Sequence, residues 1–240
     1  MPDQAAFNPT RWSLVASVRS GVAERVAAAM ETLCAAYWYP LYAYARRSGQ
    51  DPEAARDLTQ AFFARVIEKE FFAQADPARG RLRTFLLTAM QRFLHDDWRK
   101  QQRVKRGSGV ATLSIDEAQA EGLYAREPAD TLTPEAIYHR RWALTLLERT
   151  MTRLREDYAE QGKAELFAAL KPWLTFEGDE LSAAETGAQI GLDAGAVRIA
   201  VFRLRRRYRE RLLEEVAASM DAGSEAEVDE EIAALFRALS

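Results

Sequence analysis

The side chains able to do chemistry fall into a few groups. Cys34, His95 and His139 are the sulfur and imidazole ligands of a 240-residue chain. No two of them stand at ligand spacing, which argues against a structural zinc site. A single cysteine allows no internal disulfide and gives no sign of an oxidising compartment. Asp96-Asp97 is the acidic pair inside a basic stretch. Adjacent positions on a helix diverge by about 100°, so the pair by itself does not make a two-metal site. No nucleophile stands beside an activating base. What remains is cation chemistry. The net charge of −3 comes from 33 basic and 36 acidic residues. Residues 79–106 carry +7 and residues 198–211 carry +6, which leaves −16 elsewhere. Two basic blocks on an acidic body point to a polyanion bound at two places. One such block alone would more often be a solvated helix face.

The elements that position these blocks read as helices. Hydrophobic residues make up 48% and charged residues 29%, enough for a core in each half. No period-2 strand pattern occurs. The start has neither a basic n-region nor an apolar h-region, so no signal peptide is expected, and no run of about 18 apolar residues exists. A soluble, cytosolic chain is expected. The stretch 25–47 is a helix that Pro40 should kink or divide. Asp51 is a candidate N-cap with Pro52 at the first helical position. Ala55, Leu58, Phe62 and Val66 then share one face of a helix reaching about Glu70. Asp76–Gly80 reads as a turn. From 81 to 103, Leu82, Phe85, Leu86, Ala89 and Phe93 face a core. Thr84, Thr88, Arg92, His95, Arg99 and Arg103 lie opposite. Residues 107–135 carry six acids and the single base Arg126, with Gly and Pro punctuation, and read as a partly extended linker. Thr133-Pro134 opens a long helix along Ile137, Leu144, Leu147, Met151, Leu154 and Tyr158. A short helix, Ala164–Leu174, follows Gly162. In the acidic tail, Ile232, Leu235, Phe236 and Leu239 form a stripe that should dock on the protein itself.

Residues 181–213 are the most informative. Ser182 caps one helix, with Glu185 completing a capping box. Gly191-Leu192-Asp193 is a tight turn, and Asp193 caps a second helix. This is a helix-turn-helix pattern whose second helix is loaded with arginine. Val197, Val201 and Leu204 should pack inward. Arg198, Phe202, Arg203, Arg205 and Arg206 should face out.

Three motifs, in order, give a resemblance. They are the stretch 54–68 (AARDLTQAFFARVIE), the stretch 80–87 (GRLRTFLL) with 95–103 (HDDWRKQQR), and residues 181–212 ending VFRLRRRYR. Over Ala28 to Met220 the chain resembles a bacterial sigma-70 family RNA polymerase sigma factor of the extracytoplasmic-function type. Thr10-Arg-Trp-Ser-Leu14 is similar to an N-terminal feature of one subgroup. The resemblance implies an all-α fold of two small helical domains joined by an acidic linker. Region 2 would occupy 1–106, the linker 107–133, region 4 residues 134–220, and an acidic tail with a short helix 221–240. It implies no catalysis and no cofactor. The implied partners are core RNA polymerase and promoter DNA, with an anti-sigma factor or a regulatory kinase as candidate regulators and no membrane. Localisation would be cytoplasmic, with the nucleoid.

The resemblance also assigns residues. Asp57 and Gln60 would meet the polymerase clamp. At the −10 element, Arg92, Arg99, Lys100 and Arg103 would hold the backbone, while Trp98 and His95 offer flat groups for unstacked bases. At the −35 element, Arg198 and Arg203 would reach bases or phosphates, and Ile199 and Phe202 thymine methyls. Arg205, Arg206 and Arg209 would bind phosphates. The acidic linker, with Asp116, Glu117 and Glu121, would stand in for nucleic acid in the polymerase cleft. The sequence departs from the family pattern at Ala61, Thr186-Gly187, Ile199 and Ala200. A glycine at 187 costs about 1 kcal/mol against alanine on helix propensity. A stand-alone helix-turn-helix transcriptional regulator explains the C-terminal half and leaves the first basic helix unexplained.

Overall fold

A computed structural model describes residues 17–18, 22–66, 81–101, 117–127, 132–174, 182–219 and 225–240. Of the sequence readings above, Thr10–Leu14, the turn 76–80, Arg103 and Asp116 lie outside these residues. The described residues are helical and contain no strand, as the periodicity predicts. The helices are α1 (Ala23–Arg47), α2 (Pro52–Val66), α3 (Leu82–Gln101), α4 (Glu117–Tyr124), α5 (Pro134–Glu160), α6 (Ala164–Leu170) with a 3-10 turn at Lys171–Leu174, α7 (Ala183–Ile190), α8 (Ala194–Ala218) and α9 (Glu225–Leu239). The chain divides into two compact units. One is built from Met1–Thr145 together with Ala217–Ser240, the other from Leu146–Val216.

The first unit grows from α1. Of the two outcomes expected at Pro40, a kink or a division, division does not occur: Ala23–Arg47 is one helix with Pro40 inside it. Proline removes one backbone hydrogen bond, a loss of about 3 kcal/mol in an isolated helix. Here the flanking stretch is packed on nearly all sides, with Tyr37, Trp38, Leu41, Tyr42 and Ala43 fully buried. Tertiary packing outweighs the local loss. Asp51 caps α2 as expected, its Oδ1 accepting the Ala54 N–H at 2.9 Å. Ala55, Leu58, Phe62 and Val66 are buried, as their spacing predicts. Phe62 meets Phe93 of α3 edge-on, with centroids 5.8 Å apart. On α3, Leu82, Leu86, Leu87 and Met90 complete the core.

The acidic linker is not simply extended. Residues 117–124 form α4, which packs on α2. Its Glu121 accepts from Arg46 Nε at 2.8 Å and Nη2 at 3.1 Å, and also from the Tyr42 hydroxyl. Arg46 lies 4.8 Å from the Tyr124 ring centroid. Glu127 is buried and paired with Arg141, which also donates to the Leu123 carbonyl at 3.3 Å. Both acids are spent on cations of this unit. The tail docks as its apolar stripe predicts. Leu235 is fully buried, Arg140 donates to the Leu239 carbonyl at 3.0 Å, and Glu231 takes both Arg81 and Arg83. These pairs hold α4 and the tail helix on the first unit. Phe236 departs from its stripe and is exposed.

The second unit has its own core. Leu154 and Tyr158 of α5, Phe167 and Leu170 of α6, and Val197, Val201 and Leu204 of α8 pack together. Arg211 makes two 2.7 Å bonds to Asp157. Glu215, buried, is gripped by Arg153 at 2.6 Å and Arg149 at 3.4 Å. A buried acid without such partners would cost several kcal/mol.

The Glu121 cluster has a pH consequence. The bonds from Arg46 hold the Glu121 carboxyl below the ordinary 4.5, and the Tyr42 hydroxyl adds to this, against the opposing effect of burial. A carboxyl depressed in the fold contributes stability above its unfolded pKa and loses it as pH falls. Unfolding followed from about pH 6 to pH 3 should show stability dropping below about pH 4.5. Glu121→Gln should lower stability at neutral pH and flatten that drop. An unchanged pH profile would show that the cluster contributes nothing.

Candidate nucleic-acid interface

Local chemistry sets the ends of α7 and α8 where the sequence predicts them. The Ser182 side chain accepts the Glu185 N–H at 3.3 Å and starts α7. Gly191 ends it in the left-handed conformation, φ +70°, where glycine avoids the Cβ penalty. Asp193 Oδ1 accepts the Ala196 N–H at 2.8 Å and starts α8. The turn folds back so closely that a Cβ on Gly187 would lie 2.3 Å from the Leu192 carbonyl oxygen. Gly187 is therefore a steric requirement of the turn. The helix-propensity cost noted from sequence alone is the smaller effect.

The expected split between the faces of α8 holds. Val197, Val201 and Leu204 are buried. Arg198, Ile199, Phe202, Arg203, Arg205 and Arg206 are exposed, with Ile199 at 55% and Phe202 at 69%. Large apolar side chains held this far into water on one helix face are candidate contacts. The arginines differ in what they already hold. Arg205 donates to the Trp173 carbonyl at 3.2 and 3.0 Å, so its guanidinium also fastens the 3-10 turn. Arg206 pairs with Glu210 one turn on, at 2.9 Å, on the open surface. Such a pair is worth about 0.3–0.5 kcal/mol and yields readily to a phosphate. Arg207 and Arg211 pair with Asp157. Arg198 and Arg203 have no carboxylate partner among the described residues.

In the first unit the cations are also sorted. Arg92 and His95 are exposed on α3. Trp98, Arg99 and Lys100 lie in the last turns of the same helix, where only the backbone is described. Arg81 and Arg83 belong to the basic block by sequence, yet the tail neutralises them. Arg81 meets Glu230 at 3.0 Å and Glu231 at 2.7 Å, while Arg83 meets Glu231 at 2.5 and 2.9 Å. The sequence reading missed Glu231. A signal was present, since this acid falls on the apolar face that also carries Ile232 and Leu235. On α2, Asp57 is exposed with Arg56 beside it at 3.2 Å. Gln60 is half-buried rather than exposed.

Burial pushes the Cys34 thiol up to about 11, so it is a packing group. No cluster of three or more His, Cys, Asp or Glu able to hold a metal occurs among the described residues. No described helix is long and apolar enough to cross a membrane.

Residues 35–104 match the family model for sigma-70 region 2. The match runs from within α1, through α2, and past the end of α3. The similarity is to that region and covers less than a third of the chain. Comparison with curated proteins and with solved structures gives no match.

The Gly187 geometry yields a prediction of opposite sign to helix propensity. Propensity alone makes Gly187→Ala stabilising by about 1 kcal/mol. The 2.3 Å approach to a backbone oxygen makes it destabilising by about 1–3 kcal/mol. Denaturant unfolding decides between them, and a stabilised variant would contradict the turn geometry.

Proposed function

We propose that the protein is a sigma factor of the extracytoplasmic-function type. It binds core RNA polymerase and directs it to promoters through −10 and −35 elements. The observation that carries this reading is the sigma-70 region 2 match over residues 35–104. The separate helix-turn-helix unit supports it, since its second helix presents Arg198, Ile199, Phe202 and Arg203 to solvent. In this reading Asp57 and Gln60 of α2 contribute to the polymerase interface. Arg92 and His95, with Trp98, Arg99, Lys100 and Arg103 further along, serve the −10 element. Phosphates need cations, and unstacked bases need flat side chains.

At the −35 element Arg198 stands within two turns of the start of α8, the part of a recognition helix that reaches base edges. Ile199 and Phe202 suit thymine methyls. Arg203, Arg206 and Arg209 suit phosphates. Arg205 follows them only if it releases the Trp173 carbonyl. The protein acts by binding and has no cofactor. Its place of work is the cytoplasm, at the nucleoid, with an anti-sigma factor or a regulatory kinase as candidate controls.

A gel shift on a promoter fragment tests the reading. The free protein should shift the fragment weakly, and addition of core polymerase should produce a strong, promoter-specific shift. Arg198→Ala should weaken the specific complex by about 1–3 kcal/mol and leave binding to scrambled DNA nearly unchanged. Tight promoter binding without polymerase would instead favour a stand-alone helix-turn-helix regulator.

A further inference from the structure

The outer face of α8 has two flanks. Successive residues of a helix turn by about 100°, and the buried set Val197, Val201 and Leu204 fixes the inner side. Arg198, Phe202, Arg205 and Arg209 then fall on one flank. Arg203 and Arg207 fall on the other, with Ile199 and Arg206 along the middle. A cleft runs beside the second flank. Its lining brings Ile199, Arg203 and Arg207 together with Tyr158 and with Gln161 and Lys163 of the turn between α5 and α6.

That turn is fixed by its own backbone. Gly162 takes the left-handed conformation, φ +68°. Its N–H donates to the Ala159 carbonyl at 2.9 Å, and the Lys163 N–H donates to the Tyr158 carbonyl at 2.8 Å. This is the Schellman closure of a helix end. Two of the carbonyls that end α5 are thus spent within the turn, while the Lys163 side chain is exposed.

The cations of the cleft are weakly held. Lys163 Nζ donates to the neutral Gln161 Oε1 at 3.1 Å. Arg203 has no carboxylate partner among the described residues. Arg207 stands 3.6 Å from Asp157, beyond hydrogen-bond distance. Arg211 takes both oxygens of that carboxylate at 2.7 Å, so Asp157 is satisfied without Arg207. Asp193, next to the lining residue Leu192, caps α8 through the Ala196 N–H at 2.8 Å. No acidic side chain lines the cleft among the described residues.

A helix seated in a major groove about 12 Å wide has a phosphate backbone along each side. Arg205 and Arg209 lie toward one backbone, Arg203 and Arg207 toward the other. We propose that the turn Gln161–Lys163 is a second element of the DNA interface, in which Lys163 closes with Arg203 and Arg207 on a phosphate of one strand. A phosphate held from two elements limits how far α8 rolls in the groove, and so positions Arg198 against the base edges. Lys163 is a positioning residue in this account. The inference rests on the reading of α8 as a recognition helix.

The test measures binding of the full-length protein to a short mixed-sequence DNA duplex by fluorescence anisotropy, in a salt series that starts low enough for weak phosphate binding to register. Lys163→Gln should make the slope of log Kobs against log[salt] shallower by about 0.9, the share of one phosphate contact. Lys163→Arg should keep the parent slope. Arg155→Gln, which removes a charge at an exposed position of α5 outside the cleft, should keep it too. If the parent binds and Lys163→Gln has the parent slope, the inference fails and the reading of α8 stands. If Arg155→Gln loses as much slope as Lys163→Gln, the effect is one of overall charge and the inference fails. Loss of core polymerase capture by Lys163→Gln in the absence of DNA would give the cleft to a protein and overturn it as well. A parent that does not bind the duplex at low salt removes the reading of α8 and the inference with it.

Discussion

Arginine pairing organises this protein. A guanidinium is always charged, and its five donors must be met by a carboxylate, a carbonyl, water or a ligand. How each arginine is met separates structure from function here. Arg46, Arg141, Arg81 and Arg83 are met by Glu121, Glu127, Glu230 and Glu231, and those pairs draw the acidic linker and the tail onto the first unit. Arg149, Arg153 and Arg211 are met by Glu215 and Asp157, and those pairs join α8 to α5 in the second unit. Arg92, Arg198 and Arg203 are left facing water without a carboxylate among the described residues. These unspent cations are the ones available to a polyanion.

Two acids of the linker are held inside the first unit, Glu121 by Arg46 and Tyr42, and Glu127 by Arg141. Both partly buried pairs gain more from contact than exposed ones do, because water screens them less. The tail likewise reduces the +7 block by neutralising its first two described arginines.

Local signals in the sequence made much of this legible. Asp51, Thr133, Ser182 and Asp193 all cap the helices they precede, because a side-chain oxygen one step before a helix answers an orphan N–H whatever the tertiary context. The inward set Val197, Val201 and Leu204 followed from period 3.6 alone. The misses share a cause, which is dependence on contacts that helix periodicity does not register. Pro40 is tolerated because of packing around it. Gly187 is required by a carbonyl five residues on. Gln60 and Phe236 take their exposure from neighbours that periodicity cannot count. Arg205 and Glu121 looked available by type, yet each is committed to a distant partner.

The central claim is that these two units serve one task, bringing RNA polymerase to a promoter. Run-off transcription with purified core polymerase on a genomic library tests it most directly. The account predicts a discrete set of transcripts that appear only when this protein is added, from start sites sharing upstream sequence elements. Transcripts no different from those of core polymerase alone would contradict it.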